Sequence, residues 1–218
     1  MAEATIIPCS LVTNHPLGGD KPLSWNAQID RVHDDIMVVR DAFIGLDNLA
    51  EIAEQHAELF TTSDVIGLEL EEQIKPEDRR SDKLLLGGDE CPDDLKYYGL
   101  MCQTIEGQFI RAYLDSVNPH AHVAISSNYE LLRYKPGGYF REHVDIVRDH
   151  PVLGHRRLSI IAFCNDDYEG GELYFPRQDL TIKPESGLLV LFPSSFTHPH
   201  EGKTVTKGIK YSIVAWYY

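Results

Sequence analysis

From residue 121 onward the chain is a succession of short apolar runs, and this texture restricts its fold more than any other feature. The runs fall at about 122–127, 129–134, 139–145, 157–164, 171–175, 179–183, 187–192, 196–200 and 210–217. Each is rich in β-branched or aromatic residues, and turn signals separate them. Short strands at regular spacing point to an all-β sandwich or barrel. Glu169-Gly170-Gly171 reads as a tight hairpin, and Lys183-Pro184 with Ser186-Gly187 reads as a turn.

Upstream the period changes. Leu46, Leu49, Ile52, Ala53, His56, Leu59 and Phe60 recur at helical spacing, which predicts an amphipathic helix over 46–60. His56 sits on that apolar stripe and is expected to be a packed or partly exposed helix residue, not a ligand. A second helix carries Leu95, Tyr98, Met101, Cys102, Ile105, Phe109, Ala112 and Tyr113, and Asn118-Pro119 ends it. Two such helices can cover the outer face of the sheet that follows. Strands are expected over 35–43 and 65–70. Residues 74–94 collect charges, Gly87-Gly88 and two prolines without an apolar period. A connection of that length is expected to be either a solvated loop or a lid that folds over a binding site. Residues 1–33 read as an irregular arm anchored by Trp25, 34–120 as a helix-containing support region and 121–218 as the β core, all within a single domain of 218 residues.

Hydrophobic residues at 43% and charged residues at 25% are ordinary for a globular chain. The formal charge of −14 argues against binding to nucleic acid phosphates or anionic membranes. No apolar run is long enough to span a bilayer, and the N-terminus lacks the pattern of a secretion signal. Cys9, Cys91, Cys102 and Cys164 are scattered without a C-x-x-C pair, so buried thiols and a cytoplasmic location are expected.

The chemistry concentrates in three segments. Tyr134-Lys-Pro-Gly-Gly-Tyr-Phe-Arg-Glu-His143-Val-Asp145 places an imidazole and a carboxylate two residues apart, so in an extended segment both leave the same face. Gly137-Gly138 is expected to make the turn that feeds this strand. A second imidazole arrives at His198 or His200 in Phe192-Pro-Ser-Ser-Phe-Thr-His198-Pro-His200. Two histidines and one carboxylate on one face of a cation are the ligands of non-haem Fe(II) oxygenases, although zinc enzymes use the same atoms. The two histidine candidates have the same strand parity, so geometry leaves the choice between them open.

With Asn165-Asp-Asp-Tyr-Glu-Gly-Gly-Glu-Leu-Tyr-Phe175 and Gly208-Ile-Lys210-Tyr-Ser-Ile-Val-Ala-Trp216 in the same order, the segment resembles Fe(II)- and 2-oxoglutarate-dependent dioxygenases of the prolyl hydroxylase-like branch. The resemblance implies a mainly β fold with flanking helices, built on a double-stranded β-helix (jelly-roll, cupin-like) core. It implies metal ligation by His143, Asp145 and a distal histidine ten residues before a basic residue, which selects His200 ahead of Lys210 over His198, twelve residues away. Lys210 would meet the distal carboxylate of 2-oxoglutarate, which cannot lie unpaired in an apolar barrel. The apolar run Ile213-Val214-Ala215-Trp216 directly after it favours a buried lysine over an exposed one. Lysine at that place leans toward the collagen-type prolyl 4-hydroxylases. Tyr134 would support the cosubstrate through its hydroxyl, and Trp216 would wall the same pocket. Arg156 and Arg157 precede a buried-looking strand and are expected in rim salt bridges, with contact of one of them to substrate as the alternative.

The cofactors implied are Fe(II), 2-oxoglutarate and O2, with ascorbate as an optional reductant. The implied activity is hydroxylation of a prolyl residue in a peptide or protein substrate, with succinate and CO2 as coproducts. The same chemistry on a free amino acid or other small molecule, and a non-catalytic metal-binding β-barrel, are the alternatives. Oligomeric state is left open.

Overall fold

The computed structural model describes residues 5–11, 23–66, 71–117, 119–124 and 129–218. Its architecture follows from period-two alternation along one strand. In Lys210–Tyr217, Tyr211, Ile213, Ala215 and Tyr217 join the core beneath the helices. Lys210, Ser212, Val214 and Trp216 point the other way and line a cavity. The neighbouring strand Leu158–Phe163 divides likewise: Leu158, Ile160 and Ala162 face the helices, and Phe163 joins a second core between two sheets.

Among the described residues the larger sheet has nine strands, in the order Thr5–Leu11, Leu23–His33, Ile36–Arg40, Leu189–Pro193, Leu158–Phe163, Lys210–Tyr217, Glu130–Tyr134, Asp82–Leu85 and Thr61–Thr62. The smaller has five: Leu180–Ile182, Leu173–Phe175, His200–Gly202, Tyr139–His143 and Arg79–Arg80. All pairings within the two sheets are antiparallel. The chain passes back and forth between them, and Phe175, Leu173, Val190 and Phe192 fill the space between. This is a double-stranded β-helix.

Helix α1 spans Asn48–Gln55 and continues as a short 3-10 turn over Ala57–Leu59, so the predicted 46–60 helix is real but broken at His56. The His56 ring lies 3.1 Å from Asp94 Oδ2, a surface contact between the helices. Helix α2 spans Asp93–Val117 and buries Leu95, Tyr98, Met101, Cys102, Ile105, Phe109 and Tyr113 against the large sheet. A methyl group on Gly99 would meet the Leu86 carbonyl oxygen at 2.3 Å, so α2 crosses that backbone at a separation only glycine allows.

Three sequence expectations are corrected. The arm over 1–33 is not irregular: Thr5–Leu11 and Leu23–His33 pair in register from Thr5↔Ile29 to Leu11↔Leu23 and extend the large sheet. Ala27 and Ile29 are buried while Asn26 and Gln28 are exposed, an alternation the nearby prolines and glycines masked. Pro8 is tolerated because its strand is an edge, where a missing N–H breaks no ladder. Residues 12–22 and the Trp25 side chain fall outside the described residues. The charged stretch 74–94 is not a free connection, because Arg79–Arg80 pairs with Tyr139–His143 and Asp82–Leu85 pairs with Glu130–Tyr134. Its backbone is therefore part of both sheets, Arg79–Arg80 as an edge strand of the smaller and Asp82–Leu85 between two strands of the larger. Finally, Glu169–Gly170 is not a hairpin turn but pairs with Val205–Lys207. A Cβ on Gly170 would lie 2.2 Å from the Thr204 carbonyl oxygen, so the glycine serves close strand approach. Of the shorter expected strands, 122–124 and 196–199 are irregular, and only Val65–Ile66 of 65–70 is a described strand.

One polar chain crosses the helix-side core. Tyr129 and Tyr217 hydroxyls lie 2.8 Å apart, and Tyr217 donates at 2.8 Å to Glu106 of α2, which is fully buried. Desolvation pushes the Glu106 carboxyl up to about 8. An acid whose folded pKa exceeds its unfolded value of about 4.3 holds its proton more tightly when folded. Its stabilising contribution is complete below that pH and is lost as pH rises toward about 8. Urea midpoints should therefore drop between pH 5 and 8, and Glu106→Gln should flatten that drop; parallel profiles would contradict the assignment.

Candidate active site

His143 ends Tyr139–His143, His200 begins His200–Gly202, and the two are direct cross-strand partners. Their ring centroids lie 4.2 Å apart. Asp145, two residues beyond His143, completes a trio whose ligand atoms all lie within 4.8 Å of one another. His143 Nε2 is 3.6 Å from Asp145 Oδ1, and His200 Nε2 is 3.7 Å from Asp145 Oδ2. These separations are too long for hydrogen bonds and suit donors sharing one cation at ~2.0–2.2 Å from each.

Backbone carbonyls set the tautomers. His143 Nδ1 lies 2.8 Å from the Arg141 oxygen, and His200 Nδ1 lies 3.2 Å from the His198 oxygen. A carbonyl only accepts, so both Nδ1 atoms carry the proton and both Nε2 lone pairs face the carboxylate. Phe140 stacks on His143 with centroids 3.5 Å apart. Ser159 donates to Asp145 Oδ2 at 2.6 Å and contacts Ser194 Oγ at 2.7 Å, which orients the carboxylate.

Desolvation, followed by the His200 imidazole, drives the His143 pKa down to about 3. Burial alone would raise the Asp145 carboxyl, but His200, His143, the Ser159 hydrogen bond and Arg156 outweigh it and hold it below the usual range. At neutral pH His143 is thus a neutral imidazole and Asp145 a carboxylate, donors ready for a divalent cation without prior loss of protons.

The cavity beside the trio is lined by Leu132, Tyr134, Phe163, Leu173, Val214 and Trp216, with Lys210 and Ser212 among them. Lys210 and Tyr134 are register partners, and Lys210 Nζ sits 5.2 Å from the Tyr134 ring centroid and 5.0 Å from that of Phe163. Nζ donates to the Gly171 carbonyl at 2.7 Å. Gly171, at φ +69, leaves room for the lysine stem: a Cβ there would lie 3.1 Å from Lys210 Cδ. Lys210 is only 5% exposed and forms no ion pair among the described residues. Desolvation lowers its pKa to about 8, partly opposed by Glu172. A buried cation in an apolar pocket with one neutral acceptor is arranged to receive an anion.

Outside this cavity lies an open cleft of about 590 Å3 that shares His143, Asp145, Arg79 and Trp216 with it. Arg156 stacks on Trp216 at 3.6 Å and donates to the Asp145 carbonyl at 3.1 Å. Arg79 covers the Phe140 ring at 4.5 Å.

The structure therefore brings His143, Asp145, His200, Lys210, Tyr134 and Trp216 to one cavity system. His198 turns away from it, toward Asp35. Arg156 stacks on an aromatic ring instead of making the expected rim salt bridge. Sequence reasoning missed Ser159, whose only signal is a lone hydroxyl in the apolar run Leu158–Phe163. It missed Ser212, which has the parity of Lys210, and Arg79, hidden in the charged stretch.

Comparison with known proteins adds the lineage. Residues 129–218 match the family model described as the 2OG-Fe(II) oxygenase superfamily. Human prolyl 3-hydroxylase 2 is 35% identical over 75 residues, covering 32% of this chain and 11% of that protein. A putative prolyl 4-hydroxylase of Acanthamoeba polyphaga mimivirus is 30% identical over 108 residues, covering 42% of this chain and 45% of the other. The chain thus spans a tenth to less than half of these relatives. Among solved structures, a Trichoplax adhaerens prolyl hydroxylase in complex with a hypoxia inducible factor oxygen degradation domain peptide fragment superposes with TM-score 0.66 at 18% identity, covering 85% of this chain and 84% of that one. The viral collagen prolyl hydroxylase of Paramecium Bursaria Chlorella virus-1 superposes with TM-score 0.59 at 17% identity, covering 84% and 94%. These two establish the fold.

Residues 129–218, which carry the donor trio and the lysine, are thus similar to the 2OG-Fe(II) oxygenase superfamily, and the fold around them is that of the two superposed enzymes. The relatives and solved structures named here are prolyl hydroxylases by their own descriptions. The superfamily's metal and cosubstrates are Fe(II), 2-oxoglutarate and O2.

The Ser159 hydroxyl positions Asp145 without facing the cavity itself. Ser159→Ala should weaken Fe(II) or Mn(II) affinity by about 10–100-fold while leaving the thermal midpoint of the apo protein within a few degrees, as metal titration would show.

Proposed function

We propose that His143, Asp145 and His200 hold Fe(II), that Lys210 binds the distal carboxylate of 2-oxoglutarate, and that the enzyme hydroxylates a prolyl residue in a peptide. The observation that carries this reading is a buried lysine with no ion-pair partner among the described residues, in the cavity that the donor trio closes. A purely structural metal site has no use for that lysine.

When bound, Fe(II) with 2-oxoglutarate and O2 supplies the oxidising chemistry that converts a C–H bond to C–OH and releases succinate and CO2. The chain's own residues bind, orient and exclude water. The Nδ1–H donors of His143 and His200 keep both Nε2 lone pairs inward. Ser159 holds the carboxylate plane of Asp145. Lys210 supplies a charge-assisted hydrogen bond, and its ring neighbours Tyr134 and Phe163 exclude solvent around it. The Tyr134 hydroxyl supports the cosubstrate from the partner strand.

A peptide substrate is supported by the cleft of about 590 Å3 outside the trio, whose size lies within the usual ~300–1,000 Å3 of ligand sites and whose mouth is open. The named activities of the human and mimiviral relatives, and the peptide bound to the Trichoplax enzyme, point the same way. All four cysteines are free and buried, which fits the reducing, cytoplasmic location expected from their spacing.

Incubation with Fe(II), 2-oxoglutarate and proline-containing peptides should release succinate and add 16 mass units to a prolyl residue. His143→Ala and His200→Ala should abolish both, and His56→Ala should not; equal activity in all three would refute the site. Turnover on free proline but on no peptide would move the substrate class to small molecules.

Lys210 must be protonated to pair with the carboxylate, so 2-oxoglutarate affinity should fall as pH rises through about 8. Lys210→Met should weaken binding at least about 30-fold, because truncating one partner of a buried charge pair costs about 2–5 kcal/mol. Calorimetry with Mn(II) under anaerobic conditions measures both.

A further inference from the structure

The histidine that stays out of the iron trio has a setting of its own. His198 is 2% exposed, and its Nε2 is buried without a hydrogen-bond partner. That atom is aimed at Asp35 Oδ2, 3.6 Å away. On the other side of the same carboxylate, His33 Nδ1 lies 3.4 Å from Oδ1. The Asp35 side chain, in the turn between Leu23–His33 and Ile36–Arg40, is thus flanked by two imidazoles from separate segments.

The Nε2-to-carboxylate distance repeats the 3.6 and 3.7 Å of the iron trio. On His198, Nδ1 also has a neighbour, here a hydroxyl in place of a backbone carbonyl. His198 Nδ1 lies 2.9 Å from Thr197 Oγ1, and that hydroxyl lies 2.6 Å from Ser195 Oγ. In the tautomer in which Nδ1–H donates to Thr197 and Thr197 donates onward to Ser195, the Nε2 lone pair faces Asp35. A buried imidazole nitrogen left without a hydrogen is costly unless something electropositive meets it.

We propose that His33, Asp35 and His198 form a second divalent-cation site, distinct from the iron centre, whose two imidazoles and one carboxylate suit Zn2+ with water as a fourth ligand. The donors are spread more widely than the iron trio, whose ligand atoms all lie within 4.8 Å. His33 lies at a strand end with its side chain 38% exposed, so a cation site here requires its ring to turn from Asp35 Oδ1 toward His198. The His198 carbonyl accepts from His200 Nδ1, so a cation here would tie the turn at 34–35 to the segment that presents an iron ligand. The site is thus a clamp on the loop before His200–Gly202, not a second reaction centre.

Metal-free protein is titrated with Zn2+ and analysed after dialysis, with His143→Ala used to disable the iron trio. The wild type should retain two equivalents. His143→Ala, His33→Ala and Asp35→Ala should each retain one, and His143→Ala/His33→Ala none. Zn2+ should raise the thermal midpoint of His143→Ala but not of His143→Ala/Asp35→Ala. Retention of two equivalents by both His33→Ala and Asp35→Ala, or of none by His143→Ala, would overturn the second site. Two equivalents in His143→Ala would instead count against the iron trio, so the two assignments fail separately.

Discussion

Each residue of Lys210–Tyr217 must face one of two interiors, and that constraint organises the molecule. The strand lies inside the large sheet with partners on both sides, one face is covered by the helices and the other lines the cavity, and only Trp216 is half-buried. Its odd positions carry Tyr211, Ile213, Ala215 and Tyr217 to the helices, where Tyr217 reaches Glu106 of α2. Its even positions carry Lys210, Ser212, Val214 and Trp216 to the cavity. A one-residue slip would bury the lysine beneath α2 and put the tyrosines in the cosubstrate's place. The register therefore holds both the helix-side core and the reactive side in one choice.

The site gathers groups that would destabilise a fold if left unsupported. Buried Asp145 is held by Ser159 and faces two imidazoles, and each imidazole is anchored by a backbone carbonyl. Lys210 has the Gly171 carbonyl as its hydrogen-bond acceptor. These are mostly neutral partners, sufficient to satisfy hydrogen bonds yet not to neutralise charge. Part of the electrostatic cost is consequently left for ligands to relieve, and a metal and a dicarboxylate that bind only the folded chain would stabilise it in proportion.

Local pattern was a good guide wherever the local pattern was also the tertiary one. The α2 stripe from Leu95 to Tyr113 faces the sheet, and the strand runs after residue 129 appear close to their expected places. It misled where a segment's partner lies far away in sequence. Asp82–Leu85 looks like part of a charged loop until Glu130–Tyr134 pairs with it, and Ala27 and Ile29 look incidental until they cap the sheet beside Ile36–Arg40. Gly170 and Gly171 were read for turn chemistry, whereas steric approach to Thr204 and to Lys210 is what they provide. Ser159 had no spacing signal, because a hydroxyl supporting a carboxylate fourteen residues away is defined only by the fold.

By itself, the sequence determined the ingredients: strand periodicity, two covering helices, an imidazole and a carboxylate at the same parity, and a lysine at the head of an apolar strand. It did so because these are properties of neighbours along the chain, fixed by the period of a strand or helix. Strand parity left the distal histidine open and the family spacing to Lys210 pointed to His200, but only the tertiary structure supplies the physical reason for it. His198 and His200 share a parity, and what separates them is that His200 pairs directly with His143 across two strands while His198 packs toward Asp35. That choice belongs to antiparallel register and to the packing of the turn before it, which bring together segments more than fifty residues apart.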